Sequence, residues 1–387
     1  MSIDWSQNIA FITLCQLLLL AVVTFNYKKG KQLSNRILSG FMISNALLIA
    51  HYLFSQFQWI SPDRLAVWFY AGGASYLLLM PFLYLYIYSL CYKDFQLKPI
   101  HLLHAIPFFL NASFSLSAQF TKWSGIQSNA FVSFQHSMVY IEPWATKIIL
   151  HGQILTYLII TVKVLVDYRA RLKETYSSIE KIDLSWCNLI LAAFAAMWFL
   201  DFLIWLFHEL HIGSNIILGP MFTLSLLINL TFTLAATYRG LAQSTGFSGI
   251  QTALKYATSN LQQEDCEIII QKLITYMEKE KPYLSPTLTV DDLARKLNVP
   301  VKQLSQSIHV CLNQNFYDLV NAKRIEEATL QIKGKKYQNQ TLLALAFDVG
   351  FSTKSVFNAA FKKHTGMIPK EYRRQCEIPA AEEAKTS

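Results

Sequence analysis

Among the ionisable side chains inside long apolar stretches of this chain, where an unpaired charge is energetically unfavourable, three could form one cluster: Asp201, His151 and His51. Ionisable groups within such stretches commonly serve a function, because their burial requires a partner. All three should lie at a similar depth, near the outer ends of their helices. We therefore treat them as a candidate site that senses a ligand or a proton. The alternative interpretation is a structural hydrogen bond or ion pair between helices.

Two more histidines, His208 and His211, lie three residues apart, so that they share one helix face. Such a pair can ligate a metal ion, but its spacing differs from that of the HExxH motif of zinc proteases. The six cysteines of the chain are far apart, and no two of them have metal-ligand spacing. The sequence therefore predicts no metal site, no cofactor and no framework of disulfides.

The common catalytic motifs are absent from the sequence. It contains no GxSxG nucleophile motif, no phosphate-binding Walker loop, no kinase motif and no carboxylate pair at catalytic spacing. These absences argue against an enzyme. A transporter is a second alternative, but it would need discontinuous spans and several buried charges. Only Asp201 and Lys163 are candidates for such buried charges.

The elements that must position the ionisable cluster are apolar helices in the first 240 residues. A bilayer core requires about 20 apolar residues per helix, because only a continuous helix satisfies its own backbone polar groups there. Within these helices, Asn45 and Asn229 are predicted to make contacts between neighbours. Seven stretches meet the length requirement: residues 9–25, 37–54, 65–90, 100–116, 148–166, 184–207 and 216–238.

Charges in the connecting loops give an independent test of this count. One alternating set of loops holds ten Lys and Arg residues, and the other set holds three. Basic residues accumulate on the cytoplasmic side of membrane proteins, so this pattern predicts an odd number of spans with the carboxyl terminus inside. We therefore expect a multi-pass protein of the bacterial inner membrane, with its amino terminus outside and its last domain in the cytoplasm.

The remainder of the chain has a different character. The whole sequence is 53% hydrophobic and only 15% charged, but residues 250–387 have the composition of an ordinary soluble, basic, helical domain. Apolar residues at helical spacing across 251–280 predict a helix, which either packs on the following domain or acts as a connector or dimerising helix. The predicted division is 1–240, 241–280, 281–376 and a polar tail at 377–387.

Clear helix signals follow in the basic part. Thr289 can cap a helix with Asp292 as its capping-box partner, and Asn298 suits the left-handed residue of a tight turn. A second helix follows Pro300 and has one apolar and one polar face. Two short helices joined by a tight turn are typical of a helix-turn-helix. The inward residues of the second helix are Leu304, Ile308 and Cys311, and the outer ones are Lys302, Gln303 and Gln306.

The same pattern recurs about 50 residues later. Gly350 ends a short buried helix, and Ser352 is predicted to cap the next one. Gly366 ends that second helix, and Pro369 begins a final short one. The outer face of the second helix carries Lys354, Asn358 and Lys362 at intervals of four residues, with Ser355 beside them.

The last part of the chain resembles a known family. The stretch LLALAFDVGFSTKSVFNAAFKKHTGMIPKEYRR is similar to the signature of the AraC/XylS transcription regulators, and the stretch that begins KPYLSPTLTVDDLARKLNVP is similar to their first helix-turn-helix. The resemblance covers about residues 270–375. It implies a domain of seven helices, with two recognition helices and a linker helix at about 316–332.

A domain of this kind is expected to bind double-stranded DNA, with its recognition helices in successive major grooves about 34 Å apart. Residues 281–376 contain fifteen Lys and Arg against seven Asp and Glu, and the resulting net charge of +8 favours phosphates. The alternative for each polar residue is a solvated helix face. The residues expected to read base edges are Lys302, Gln303, Gln306, Lys354, Ser355 and Asn358, and those expected to hold phosphates are Lys362, Lys363 and Arg374.

The predicted fold is all-α: a polytopic bundle of seven transmembrane helices, followed by a double helix-turn-helix domain with a linker helix. The expected function is a membrane-bound, sequence-specific transcription regulator. It is expected to be a homodimer, and its membrane half is expected to sense a small or lipophilic signal. Two alternatives stay open: the membrane half is a passive anchor or dimerisation module, or the chain is a transporter-like membrane protein with a regulatory tail.

Overall fold

The computed structural model describes the backbone of residues 5–57, 72–113, 129–180, 182–211, 215–243, 249–250, 263–334 and 340–383. Every regular element in these ranges is a helix, as the sequence predicts, and their β-bridges are isolated. The chain divides into two compact units, which we term the apolar unit (Met1–Leu165 and Leu184–Ala253) and the basic unit (Val166–Asp183 and Leu254–Ser387).

The apolar unit is built from long helices, because its sequence contains few charged or helix-breaking residues. A 3-10 helix at Pro99–Ala105 leads into helical residues 106–113. The last turns of the fourth long helix, from Val166 onward, belong to the basic unit. The long helices are α1 (Trp5–Asn26), α2 (Gln32–Phe57), α3 (Tyr76–Cys91), α4 (Asn129–Thr175), α5 (Ser185–Glu209) and α6 (Asn215–Gln243).

Five described segments are long and apolar enough to cross a membrane, and they correspond to the first, second, fifth, sixth and seventh predicted spans. The described part of the third predicted span is the shorter apolar helix α3, which contains Pro81. The fourth predicted span begins as a 3-10 helix, and its end lies outside the described residues. Seven spans therefore remain a prediction. The five segments are Trp5–Asn26, Gln32–Phe54, Lys147–Thr175, Ser185–Glu209 and Gly219–Ala242.

Polar side chains connect the helices inside the apolar unit. Asn45 and Asn229 donate to each other's side-chain oxygens, with nitrogen–oxygen distances of 2.8 and 3.1 Å, and this confirms the predicted contact between helices. Gln16 on α1 donates to the Leu230 carbonyl at 3.1 Å and to the Thr233 hydroxyl at 2.9 Å on α6. Amides in an apolar interior must find such partners, so these bonds fix how α1, α2 and α6 pack together.

The outer surface of the apolar unit carries large apolar side chains. Leu19, Ile148 and Leu189 are 64%, 66% and 71% exposed, respectively. Soluble monomers rarely expose extensive apolar patches, because contact between apolar surface and water is unfavourable. This surface is therefore suited to contact with lipid tails or with another apolar surface.

The basic unit consists of short helices around a longer one. The linker helix predicted at 316–332 is confirmed as α10. A single 3-10 turn, Pro282–Leu284, precedes the helix pairs. The elements are α7 (Gln263–Glu280), α8 (Val290–Leu297), α9 (Val301–Leu312), α10 (Phe316–Lys333), α11 (Leu342–Asp348), α12 (Lys354–Thr365) and α13 (Pro369–Glu383).

Two apolar cores lie in the basic unit, one for each helix pair. The first joins α7, α8 and α9 through residues such as Leu273, Leu293 and Leu304. The second joins α11 and α12 through residues such as Leu345 and Phe357. Helix α10 contributes its first half to one core and its second half to the other, so it holds the two pairs at a fixed separation. Packing of α7 on the first pair supports the first of the two interpretations offered for that helix.

Candidate functional site

The first helix pair, α8 and α9, is shaped by its caps. The Thr289 hydroxyl accepts from the Asp292 amide at 3.2 Å, and the Asp292 carboxylate accepts from the Thr289 amide at 3.1 Å. This confirms the predicted capping box. The turn that follows places Asn298 in the left-handed region with a φ of 53°, also as predicted. These local bonds determine the orientation of α9 relative to α8.

Helix α9 presents one apolar and one polar face. Leu304 and Ile308 are buried, as predicted, while Gln303 is exposed and Lys302 and Gln306 are half-buried. The prediction for Cys311 is wrong, because that side chain is exposed. It lies in the last turn of α9, beyond the core.

The cysteine prediction also needs correction. Cys311 forms a disulfide with Cys266 of α7, across a Cα–Cα distance of 6.6 Å. The two residues are 45 positions apart in sequence, so their proximity follows only from the packing of α7 against α9. One bonded pair is not the framework typical of secreted proteins, but it does join two helices of the first core.

The second helix pair, α11 and α12, depends on a glycine. Gly350 has a φ of +95°, and a Cβ placed there would lie 2.5 Å from the Tyr283 carbonyl oxygen. No other residue fits this turn without displacing the backbone. The cap of α12 differs from the prediction: Thr353, not Ser352, accepts from the Val356 amide at 3.4 Å. Ser352 lies one residue too early and instead donates to Glu180 at 2.8 Å.

Helix α12 buries Phe357 and Phe361 and turns basic residues outward. Lys354, Ser355 and Lys362 are exposed and Asn358 is half-buried, so the predicted base-reading residues lie on accessible parts of the helix. Whether they contact DNA remains a prediction. The other predicted phosphate-binding residue near the end of the chain, Arg374, is exposed on α13.

Lys363 differs from its neighbour Lys362, because it already has a partner. Its ammonium group lies 2.8 Å from the Asp318 carboxylate at the start of α10. Burial alone would raise the pKa of Asp318, but the hydrogen bond and the charge of Lys363 outweigh it and hold that pKa below its usual value. A phosphate would have to share Lys363 with Asp318.

Arg324 is the largest fully buried side chain among the described residues. Its Nε donates to the Tyr283 carbonyl at 2.7 Å, and its Nη2 donates to the Ser285 carbonyl at 2.8 Å. Its Nη1 donates to the Ser177 carbonyl at 3.0 Å and its Nη2 to the Ser177 hydroxyl at 3.1 Å. Burial lowers the pKa of Arg324 to about 10, although the nearby charge of Glu180 opposes this shift. Every acceptor that these bonds use is neutral.

Ser177 belongs to the segment Val166–Asp183, which precedes α5 in sequence but forms part of the basic unit. Its amide donates to the Leu288 carbonyl at 3.1 Å, and the adjacent Tyr176 forms an antiparallel bridge with Thr289. Further contacts reach both helix pairs. Ser305 of α9 donates to Glu174 at 3.5 Å, Ser352 donates to Glu180 at 2.8 Å, and Lys173 lies 5.9 Å from the ring centre of Tyr317.

Sequence reasoning missed this segment, because it used the basic residues there only to assign topology. A signal was present in α10: Val320, Arg324 and Ala328 recur at intervals of four residues and are all fully buried. A charged residue in the middle of an apolar stripe predicts a buried partner. The identity of that partner is not encoded nearby in sequence.

In the apolar unit, the three ionisable residues of the candidate sensing cluster line one cavity of about 570 Å³. Asp201 accepts from the Ser225 hydroxyl at 2.7 Å, and the Nδ1 of His151 accepts from the Trp198 indole at 2.9 Å. His51 forms part of the wall. The structure thus brings all three together, and it adds Lys147, which sequence reasoning had counted only as a loop charge.

The two histidines at the end of α5 have different surroundings, although the Nδ1 of His211 lies 3.2 Å from the His208 carbonyl oxygen. His208 lines the same cavity, whereas His211 follows the helix with a φ of 56°. Within the described residues, no group of three potential metal-binding side chains occurs.

Comparisons with known proteins concern the basic unit. A family model described as a helix-turn-helix domain matches residues 293–375, which include both helix pairs and α10. A Streptomyces lividans protein described as an AraC-like transcription regulator is 32% identical over 91 residues. That match covers 24% of this chain and 29% of the relative's length. No solved structure matches the chain. Residues 293–375 are therefore similar to a helix-turn-helix domain, and this similarity supports DNA binding and transcription regulation for that part of the chain.

Proposed function

We propose that this protein is a membrane-bound, sequence-specific transcription regulator, in which the membrane half senses a signal and controls an AraC-type DNA-binding domain. The observation that carries the proposal is the match of residues 293–375 to a helix-turn-helix domain, with exposed lysines and the half-buried Asn358 on α12. These are the groups that hydrogen-bond to base edges and phosphates.

In this proposal α9 and α12 are the recognition helices of two helix-turn-helix units. Lys302, Gln303 and Gln306 read bases from α9, and α12 contributes Lys354, Ser355 and Asn358. Because α10 is shared by both apolar cores, the two helices keep a constant separation, as binding to successive major grooves requires. DNA is then contacted by a homodimer at paired half-sites.

The membrane location rests on three observations. Five helices are long and apolar enough to cross a bilayer, large apolar side chains cover their outer surface, and basic residues alternate between loops. Together they support the inner membrane of a bacterium, with the amino terminus outside and the basic unit in the cytoplasm.

Control of the DNA-binding domain is proposed to act through Val166–Asp183. This segment begins with the last turns of α4, the helix that carries His151, and it contacts both helix pairs and Arg324. A signal that moves the end of α4 would change these contacts. A passive anchor would leave DNA affinity independent of any signal.

The test of DNA recognition uses the full chain in lipid nanodiscs. Duplexes are selected from a random pool at low salt, and the selected sequence serves as the operator in binding assays. Lys354→Ala and Asn358→Ala should each weaken operator binding by about 1–3 kcal/mol, because each removes a contact to a base edge.

Lys272→Ala is the matched control, since Lys272 is exposed on α7, outside both helix pairs. It should leave operator binding nearly unchanged. If no duplex is enriched at low salt, or if all three variants bind equally well, recognition by α12 is wrong.

A further inference from the structure

Two residues of α4 whose side chains carry hydrogen-bond donors line the cavity of the apolar unit, one helical turn apart. Lys147 and His151 are four residues apart, and both line the cavity. Because the Nδ1 of His151 accepts from Trp198, the proton of the neutral imidazole is assigned to Nε2. This Nε2 atom is buried and has no hydrogen-bond partner among the described residues.

Lys147 is in a similar situation. Within the described part of the chain its ammonium group makes no ion pair within 4.0 Å, although Asp201 and Glu209 act on it electrostatically from further away. The Asp201 carboxylate accepts from the Ser225 hydroxyl at 2.7 Å instead. Among the described residues, the cavity wall thus carries one buried donor without an acceptor, the Nε2–H of His151, and one partly exposed ammonium group that makes no ion pair. A buried donor without an acceptor is unfavourable.

The remainder of the wall is largely apolar and aromatic. Trp198 and Phe194 line it from α5, Tyr52 lines it from α2, and Phe222 lines it from α6. A volume of about 570 Å³ is in the range of pockets that hold small organic molecules. A ligand that fits would combine an apolar body with one acceptor group at the α4 side.

We propose that this cavity binds a small amphipathic carboxylic acid. Its carboxylate would accept from the Lys147 ammonium and from the His151 Nε2–H, while its apolar or aromatic body would pack against the rings. This inference rests on the proposed sensing function and specifies the chemical class of the signal. A charge-assisted hydrogen bond is stronger than a neutral one, so an anionic acceptor is favoured over a carbonyl or a hydroxyl.

The experiment uses the full chain in nanodiscs and three probes of equal size: 4-phenylbutyrate, 4-phenylbutanol and 4-phenylbutylamine. Binding is measured by calorimetry, with empty nanodiscs subtracted. The carboxylate should bind at least tenfold more tightly than the alcohol, and the amine should bind most weakly. Lys147→Met should weaken carboxylate binding at least tenfold, whereas Lys147→Arg should restore most of it.

Lys163→Met is the matched control, because Lys163 lies exposed on the same helix outside the cavity. It should bind 4-phenylbutyrate as the unmodified chain does. Recovery of Lys147→Met in nanodiscs with the helical content and thermal unfolding of the unmodified chain verifies that its apolar unit is folded. Equal carboxylate binding by Lys147→Met and the unmodified chain, tighter binding of the amine, or no binding above empty nanodiscs would each overturn the assignment.

These outcomes are separable from failure of the proposed function. If operator binding is intact and no carboxylate binds, the cavity assignment is wrong and DNA recognition stands. If the carboxylate binds but leaves operator affinity unchanged, the ligand assignment holds and the sensing role is wrong.

Discussion

Individual residues in the basic unit differ in how available they are to DNA, although sequence alone makes them look equivalent. Lys362 and Lys363 are adjacent and equally basic, yet Lys363 is held by Asp318 and Lys362 has no described partner. Similarly, Arg324 is basic but fully buried, so it supports the fold and cannot contribute to phosphate binding in this conformation. Charge counts overestimate the binding surface for this reason.

The first prediction at this scale concerns the two neighbouring lysines. Lys362→Ala should weaken operator binding and reduce the salt dependence by about one phosphate contact. Lys363→Ala should have a smaller effect, because forming its phosphate contact requires weakening the bond to Asp318. Asp318→Asn should then strengthen binding by releasing Lys363. Titration of the operator at several salt concentrations measures all three.

The pH dependence of that pair has a definite sign. Since the pKa of Asp318 is held below its usual value, the pair's stabilisation is present at neutral pH. It is lost as the pH falls through that lowered pKa. The difference in unfolding free energy between Lys363→Ala and the unmodified chain should therefore persist from neutral pH into the mildly acidic range. A difference that vanished near pH 6 would contradict the assignment.

At the scale of elements, the main finding is that Val166–Asp183 contributes to the DNA-binding unit. Arg324 donates to Ser177 and to the Tyr283 and Ser285 carbonyls, so one side chain of α10 joins the segment to the 3-10 turn that precedes α8. The 3-10 turn and Gly350 pack at the same point, where a larger residue would meet the Tyr283 carbonyl. Such a junction can transmit movement of the segment to both pairs.

Arg324→Met should release the segment. The substitution keeps much of the apolar stem but removes every donor to Ser177, and each buried acceptor left unpaired costs about 1–3 kcal/mol. Hydrogen exchange of the full chain should show at least tenfold faster exchange at the Ser177 amide, which donates to Leu288. Arg295→Met is the control, since Arg295 is 76% exposed on α8. Equal protection in both variants would mean that Arg324 does not hold the segment.

The molecule as a whole combines two environments with opposite physical requirements. The apolar unit exposes hydrocarbon and lines one cavity with Lys147 and Asp201, whereas residues 281–376 carry a net charge of +8. Binding of DNA and binding of a ligand in the cavity should therefore respond differently to salt, because screening acts mainly on exposed charges.

This contrast gives a prediction for the full chain. With about four phosphate contacts, operator affinity should fall about 100-fold between 50 and 200 mM salt. Binding of 4-phenylbutyrate should change less than about threefold over the same range, because its partners are partly buried. Calorimetry and operator titration on one nanodisc preparation provide both curves. A steep salt dependence of carboxylate binding would point to a surface site instead of the cavity.

The sequence by itself determined the features that arise within a few residues. The capping box at Thr289, the left-handed turn at Asn298 and the linker helix follow from hydrogen bonds and periodicities that span about four residues. Five apolar helices are equally local, since length and composition suffice to predict them. Even here one predicted position was wrong, because Thr353 and not Ser352 caps α12. Both residues carry a hydroxyl group, so the sequence pattern does not distinguish them, and only the backbone geometry decides which one caps the helix.

Only the tertiary structure decided which distant residues meet. Arg324 and Ser177 are 147 positions apart, and Cys266 and Cys311 are 45 apart. Such pairs produce no periodic pattern in the sequence, because contact between them depends on how whole helices pack and not on spacing along the chain. The cavity is of the same kind: an apolar stretch predicts that His151 lies within a helix bundle, but only the hydrogen bond from Trp198 determines which of its nitrogens carries the proton.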